Sequence, residues 1–303
     1  MIRRTLVFFA VNAAVILTIS VLLNVLGFRP YLGAQGISYQ GLLVFCALFG
    51  VGGSFISLQI SRWSAKRAMG VVLIDPSSPR GNVEALLVDR IRGLSSKAGL
   101  SKLPEIGVYR SPEVNAFATG PSRDRALVAV STGLLERMDD EAVEGVLGHE
   151  ISHIANGDMV TMALVQGVVN TFVMFFARVI ASVIDQFLRG NNDRGGGLGF
   201  FGYIIVVSIL EVGLMFLAYP IVAGFSRWRE YRADGGSAKL TSAGTMIHSL
   251  ESLARNTGHY DKNDAALATF KIQGGGGGVL AKLMSTHPPI PQRIAALRQL
   301  RAS

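Results

Sequence analysis

"GHEISHIANGD", residues 148–158, sets two histidines and a glutamate in tight order within a chain that is half apolar. His149 and His153 stand four apart, so on a helix they share one face a single turn from each other, and their imidazoles can converge on one metal ion. Glu150 projects about 100° further round the helix and can act on a reacting water without being a ligand. With five histidines and ten glutamates in 303 residues, about 0.003 such patterns are expected by chance, which argues against two merely buried core histidines. A carboxylate di-iron site needs Glu-x-x-His on two separate helices, and only Glu150-x-x-His153 is present. The stretch therefore points to Zn2+ held by His149 and His153, with Glu150 as a catalytic base.

Catalytic zinc usually takes three protein ligands. None of His248, His259 and His287 falls at the short downstream spacing of HExxHxxGxxH. Glu230 in "SRWREYRAD" (226–234) is the better candidate. Asp234, four residues on, can share its helical face and accept the outer N–H of a zinc histidine, fixing the ring's tautomer and direction. A surface carboxylate paired with its neighbouring arginines is the competing reading of Glu230, and spacing alone does not separate the two.

Around this centre the chain reads as an α+β domain. "MDDEAVEGVLGHEISHIANGD" (138–158) predicts a helix with acidic residues in its first turn and Gly157 just past its end. "PEIGVYR" (104–110), "VNAFATG" (114–120) and "ALVAVSTG" (126–133) are short β-type runs bounded by Pro, Gly, Ser and Asp. "VEALLVDRIRGLSSKAGL" (83–100) has helical spacing and ends near Gly99. Beyond 225, "SRWREYRADGGSAKL", "AGTMIHSLESLARN" and "PQRIAALRQL" read as helices, interrupted by a glycine tract at 274–278.

Further outward lie two pairs of apolar runs, 5–27 with 42–60 and 159–184 with 200–225, each near the roughly 20 residues a helix needs to cross a bilayer. The first also resembles a signal peptide with "MIRR" as its basic start, but its length and the span that follows favour an uncleaved anchor. Gln166, Asn170, Arg178 and Glu211 are costly in lipid and are expected to face protein, Glu211 pairing with another helix through Asn170 or Gln166. Net charge is +8. Arg3, Arg4, Arg62, Lys66, Arg67, Arg227, Arg229 and Arg232 flank the apolar runs, as in the positive-inside rule, and no aromatic-plus-basic platform for nucleic acid accompanies them. If all four runs cross, that charge pattern puts both ends and the segment 62–158 in the cytoplasm; a half-buried hairpin is the alternative for the second pair. Cys46, the one cysteine, excludes a disulfide framework and a Cys-based metal site.

"HEISHIANGD", "NAFATG", "SRWREYRAD" and "THPP", in this order among the apolar pairs, resemble the HtpX family of membrane zinc metalloproteases, relatives of the type I CAAX prenyl proteases. The resemblance implies a zincin-like α+β protease domain joined to about four membrane helices. It divides the chain into a first hairpin (1–60), a first protease segment (61–158), a second hairpin (159–225) and a second protease segment (226–303). It implies His149, His153 and Glu230 as zinc ligands and Glu150 as base. The late His-Pro histidine, His287, would stabilise the oxyanion. The edge strand around Asn115, Ala116, Phe117 and Ala118 would bind an extended peptide by strand addition. The implied setting is the bacterial inner membrane, with the site facing the cytoplasm and membrane-protein or peptide substrates. The implied role is stress-responsive quality control in cooperation with other membrane proteases. Two alternatives remain at this stage: processing of specific or lipidated membrane substrates, and a zinc-stabilised scaffold without catalysis. Glu150 argues against the scaffold, since a structural site needs no base.

Overall fold

The computed structural model describes residues 32–33, 36–189, 197–260 and 283–302. The apolar run 5–27, most of the loop after 189 and the glycine tract 274–278 lie outside the described residues. A short hairpin, β1 (Leu32–Gly33) and β2 (Gly36–Ile37), precedes the long helix α1 (Tyr39–Met69). Then come β3 (Val72–Ile74), α2 (Gly81–Lys97), β4 (Glu105–Tyr109), β5 (Ala116–Thr119) and β6 (Leu127–Ser131). Helices α3 (Thr132–Arg137), α4 (Asp140–Asn156), α5 (Asp158–Arg189), α6 (Gly199–Leu240), α7 (Ala243–Tyr260) and α8 (Ile290–Ala302) follow. The chain divides into two compact units. One takes the described residues up to Ser57 with Ala163–Val222, and the other takes Leu58–Met162 with those from Ala223 onward.

Among the described residues α1, α5 and α6 are long and apolar enough to cross a membrane. In the first unit Leu48, Phe55, Ile56, Phe172, Phe176, Ile205, Ile209 and Leu217 are exposed, an apolar surface suited to lipid. Helices α1 and α5 approach at glycine: a Cβ on Gly50 would lie 2.7 Å from the Thr171 backbone nitrogen, and one on Gly167 would lie 3.0 Å from Val51 Cα. Small residues at such crossings let backbones close when lipid gives no hydrophobic drive. Glu211 is held by Arg178 at 2.7 Å, not by Asn170 or Gln166, because a buried carboxylate gains more from a full opposite charge than from an amide. Gln166 and Asn170 bond to each other at 2.7 Å.

The second unit is built on a four-stranded sheet in the order β3-β4-β6-β5, with β4 and β6 parallel and both outer pairs antiparallel. β6 is buried along its whole length, and β5 forms one edge. Helices α2 and α4 cover the sheet: Leu87, Val88 and Ile91 of α2 and Leu147, Ile151 and Ile154 of α4 join Ile106, Val128 and Val130 in one core. The ends of α4 are set locally. The Asp139 side chain accepts from the Ala142 N–H, and Gly157 takes the left-handed conformation (φ 69°) that closes the last turn.

The opposite stripe of α4 is made of Gly145, Gly148, His149, Ser152 and His153, and small residues there admit the end of α6 and the start of α7. Ser237 Oγ donates to the Gly145 carbonyl at 2.8 Å, and Ser249 Oγ donates to that of Ala142 at 2.9 Å. A Cβ on Gly236 would lie 2.6 Å from Ser152 Oγ. Gly236 therefore serves close packing, and α6 runs unbroken for 42 residues through Pro220, where the sequence suggested a membrane run to 225 and a separate helix from 226. A Cβ on Gly145 would sit 2.1 Å from Ser249 Oγ and 3.0 Å from the Thr245 carbonyl. Gly145→Ala is accordingly expected to destabilise by about 1–3 kcal/mol, the usual range for overpacking. Adding Ser249→Ala should restore part of the loss, read as the apparent melting temperature of the detergent-solubilised protein; additive losses in the double variant would refute the contact.

Candidate metal centre

Helix α4 supplies His149 and His153 from one face, and α6 brings Glu230 and Asp234 from consecutive turns against them. His149, His153 and Glu230 are all buried, and one ligand-type atom from each lies within 4.8 Å of the others. The two Nε2 atoms are 3.1 Å apart. Glu230 Oε2 is 3.4 Å from His149 Nε2, and its Oε1 is 3.3 Å from His153 Nε2. Two nitrogens bound at zinc's usual 2.0–2.1 Å in a tetrahedron are roughly 3.3–3.4 Å apart, so the spacing fits one small divalent ion.

The outer nitrogens are committed. His153 Nδ1–H donates to Asp158 Oδ2 at 2.7 Å, and His149 Nδ1 lies 3.0 Å from Asp234 Oδ1. With those protons on Nδ1, both Nε2 atoms turn lone pairs inward toward a carboxylate whose Oε1 accepts no hydrogen bond. Three buried lone-pair donors facing one another need a cation, and the residues present fit a metal. A proton on His149 answers the same need for positive charge, in the place a metal would take. Burial disfavours a charged His149, yet Asp234 and Glu230 push its pKa up to about 9. Burial also opposes ionised Glu230, but the imidazoles of His149, His153 and His287 hold its carboxyl well below the usual carboxylate range.

The segment 283–302 braces the carboxylates. His287 Nδ1–H donates to Glu230 Oε2 at 2.8 Å. Arg293 forks onto Asp234 with Nε at 2.8 Å from Oδ2 and Nη2 at 2.5 Å from Oδ1. Burial pushes the Asp234 carboxyl up, and the bonds from Arg293 and His149 outweigh it and hold it down. Arg227 Nη1 donates to the Ser285 carbonyl at 2.6 Å, tying the same segment one turn earlier. Glu150 is half-buried beside His149 and within electrostatic reach of Arg293. Residues Asn115 to Ala118 enter or lie in the edge strand β5, where Asn115 Nδ2 donates to the Tyr109 hydroxyl at 2.5 Å. Asp158 and Arg293 were not singled out from sequence as site residues. Asp158 carried the weak signal of an acid just past the Gly157 cap, and Arg293 carried none beyond its place after "THPP".

A buried two-histidine, one-carboxylate centre with a half-buried glutamate beside it, in a chain with long apolar helices, is the arrangement expected of a membrane metalloprotease. Residues 82–301 match Peptidase family M48, and the chain belongs to that family. It is 47% identical to Protease HtpX of Chromohalobacter salexigens over 98% of both chains. To Protease HtpX of Shewanella loihica it is 48% identical, over 98% of this chain and 99% of that one. Its fold is similar to that of Ste24p from S. mikatae, with a TM-score of 0.61 and 17% identity over 98% of this chain and 64% of the longer one.

Proposed function

We propose that this protein is a zinc endopeptidase of the bacterial cytoplasmic membrane that cleaves misfolded or damaged membrane proteins on the cytoplasmic side. In this reading His149, His153 and Glu230 hold the zinc. The observation that carries it is the convergence of three buried lone-pair donors next to half-buried Glu150. Zinc supplies Lewis acidity and makes water reactive at neutral pH. Glu150 takes the proton of the attacking water and returns one to the leaving amine. Asp234 and Asp158 keep the two imidazoles in the ligating tautomer and orientation, Arg293 holds Asp234, and His287 holds Glu230. The edge of β5 not paired with β6 offers main-chain hydrogen bonds to an extended peptide with little choice of sequence, which suits clearance of unfolded chains. The positive flanks of the apolar runs support a cytoplasmic site.

The test pairs an assay with topology. Zinc-loaded protein in detergent should cleave an unmodified, unfolded membrane protein, and failure to cleave it while cutting a lipidated peptide would replace quality control with processing. In a Cys46→Ser background, a cysteine at Gly33 should react with an impermeant thiol reagent in intact spheroplasts and one at Ser101 should not. The reverse pattern would invert the orientation.

Asp234→Asn keeps size but offers a neutral amide to both His149 and Arg293. A loss of about 10- to 100-fold in zinc affinity or activity is expected, as for other supports of metal ligands, with partial rescue by added zinc. Chelator competition on purified protein measures it, and an unchanged rate of zinc loss with unchanged cleavage would remove Asp234 from the site.

A further inference from the structure

The arginines around the centre differ in how their donors are used. Arg293 is spent on Asp234, Arg227 on the Leu283 and Ser285 carbonyls, and Arg232 lies over the Trp228 ring at 4.7 Å and reaches Asn156. Arg229 is different. Its side chain is only 20% exposed, and its Nε is buried with no hydrogen-bond partner. Its Nη2 stands 3.5 Å from Glu230 Oε1, the oxygen that itself accepts no hydrogen bond. An arginine present only to neutralise that carboxylate would close to about 2.8 Å and bond it. Instead a permanently charged, planar group stands with its Nη2 beside the ligand oxygen and unbonded to it, which holds a donor next to one of the three atoms that would surround a metal. His287, by contrast, has already given its Nδ1–H to Glu230.

We propose that Arg229 is a catalytic residue whose guanidinium donates hydrogen bonds to the scissile carbonyl oxygen and holds it more tightly as negative charge develops there. The inference rests on the endopeptidase reading above. It assigns Arg229 the preorganised-donor role that usually matters most in acyl transfer, and it makes the site selective for the tetrahedral state over the bound peptide.

The test uses the full-length, zinc-loaded protein with Arg229→Met, which keeps the apolar stem without donors, and Arg229→Lys, which keeps the charge without the fork. Zinc content, kcat and KM on a fluorogenic peptide, and the dissociation constant of a phosphinic peptide that mimics the tetrahedral anion are measured for each. Arg229→Met should keep its zinc, lose about 10²- to 10³-fold in kcat with KM little changed, and bind the phosphinate more weakly by a similar factor. Arg229→Lys should fold as the parent and still lose at least about 10-fold in both readouts, since an ammonium cannot reproduce the fork. Parent-like kcat and phosphinate binding in either variant would overturn the assignment, as would loss of zinc in step with activity, which would make Arg229 a support for Glu230. A parent protein that neither cleaves peptides nor binds the phosphinate would instead bring down the endopeptidase reading itself.

Discussion

Glu150→Gln is expected to stop peptide cleavage while the protein keeps about one zinc per chain. The carboxylate sits one residue from His149 on α4 but outside the trio that converges through His149, His153 and Glu230. Glutamine matches its shape and cannot take a proton from water. General-base catalysis typically contributes about 10²- to 10⁴-fold, so residual turnover should fall by at least that much. Metal analysis and a peptide assay on one preparation decide the matter. Turnover near the parent's would remove Glu150 as base, and zinc loss in this variant would make it a ligand.

Glu230→Ala should behave in the opposite way, losing metal and activity together. The change removes one of three donors and leaves His149, His153 and His287 facing a gap inside the protein. Because a metal that binds only the folded chain stabilises it by mass action, zinc should raise the parent's apparent melting temperature, and a chelator should reverse the rise. Neither treatment should move the variant. Full zinc occupancy in Glu230→Ala, resistant to chelator, would show that another side chain is the third ligand.

What could be read from the sequence tracks how local the determining physics is. Helix α4 was legible because its acidic first turn and its Gly157 stop are signals carried by the segment's own residues, and the pairing of His149 with His153 follows from helical spacing alone. The strands β4, β5 and β6 were marked by their own β-rich runs and turn residues. Strand β3 was not, since Val72–Ile74 follows α1 almost directly and is defined by pairing to β4. The length of α6 was obscured by the change from apolar to charged residues at 225–226, which divides one helix into what reads as a membrane run and a separate helix. Spacing left Glu230 open between ligand and surface carboxylate. It is the crossing of α4 and α6 that places it against both histidines. Asp158 lies past the left-handed turn, where helical periodicity no longer says which way a side chain points. Arg293 is joined to the site only through tertiary structure, as is the Arg178–Glu211 pair.

The brace on the two carboxylates also bears on when the centre comes into being. His149 and Arg293 are 144 residues apart in the chain, and contacts of such long separation form late because loop closure must be offset before they are rewarded. A nascent chain that has made α4 has His149, Glu150 and His153 but not Glu230. One that has also made α6 lacks the groups that pin Glu230 and Asp234. The hydrogen-bonded arrangement around Glu230 and Asp234 is therefore complete only once the segment carrying His287 and Arg293 has been synthesised and docked.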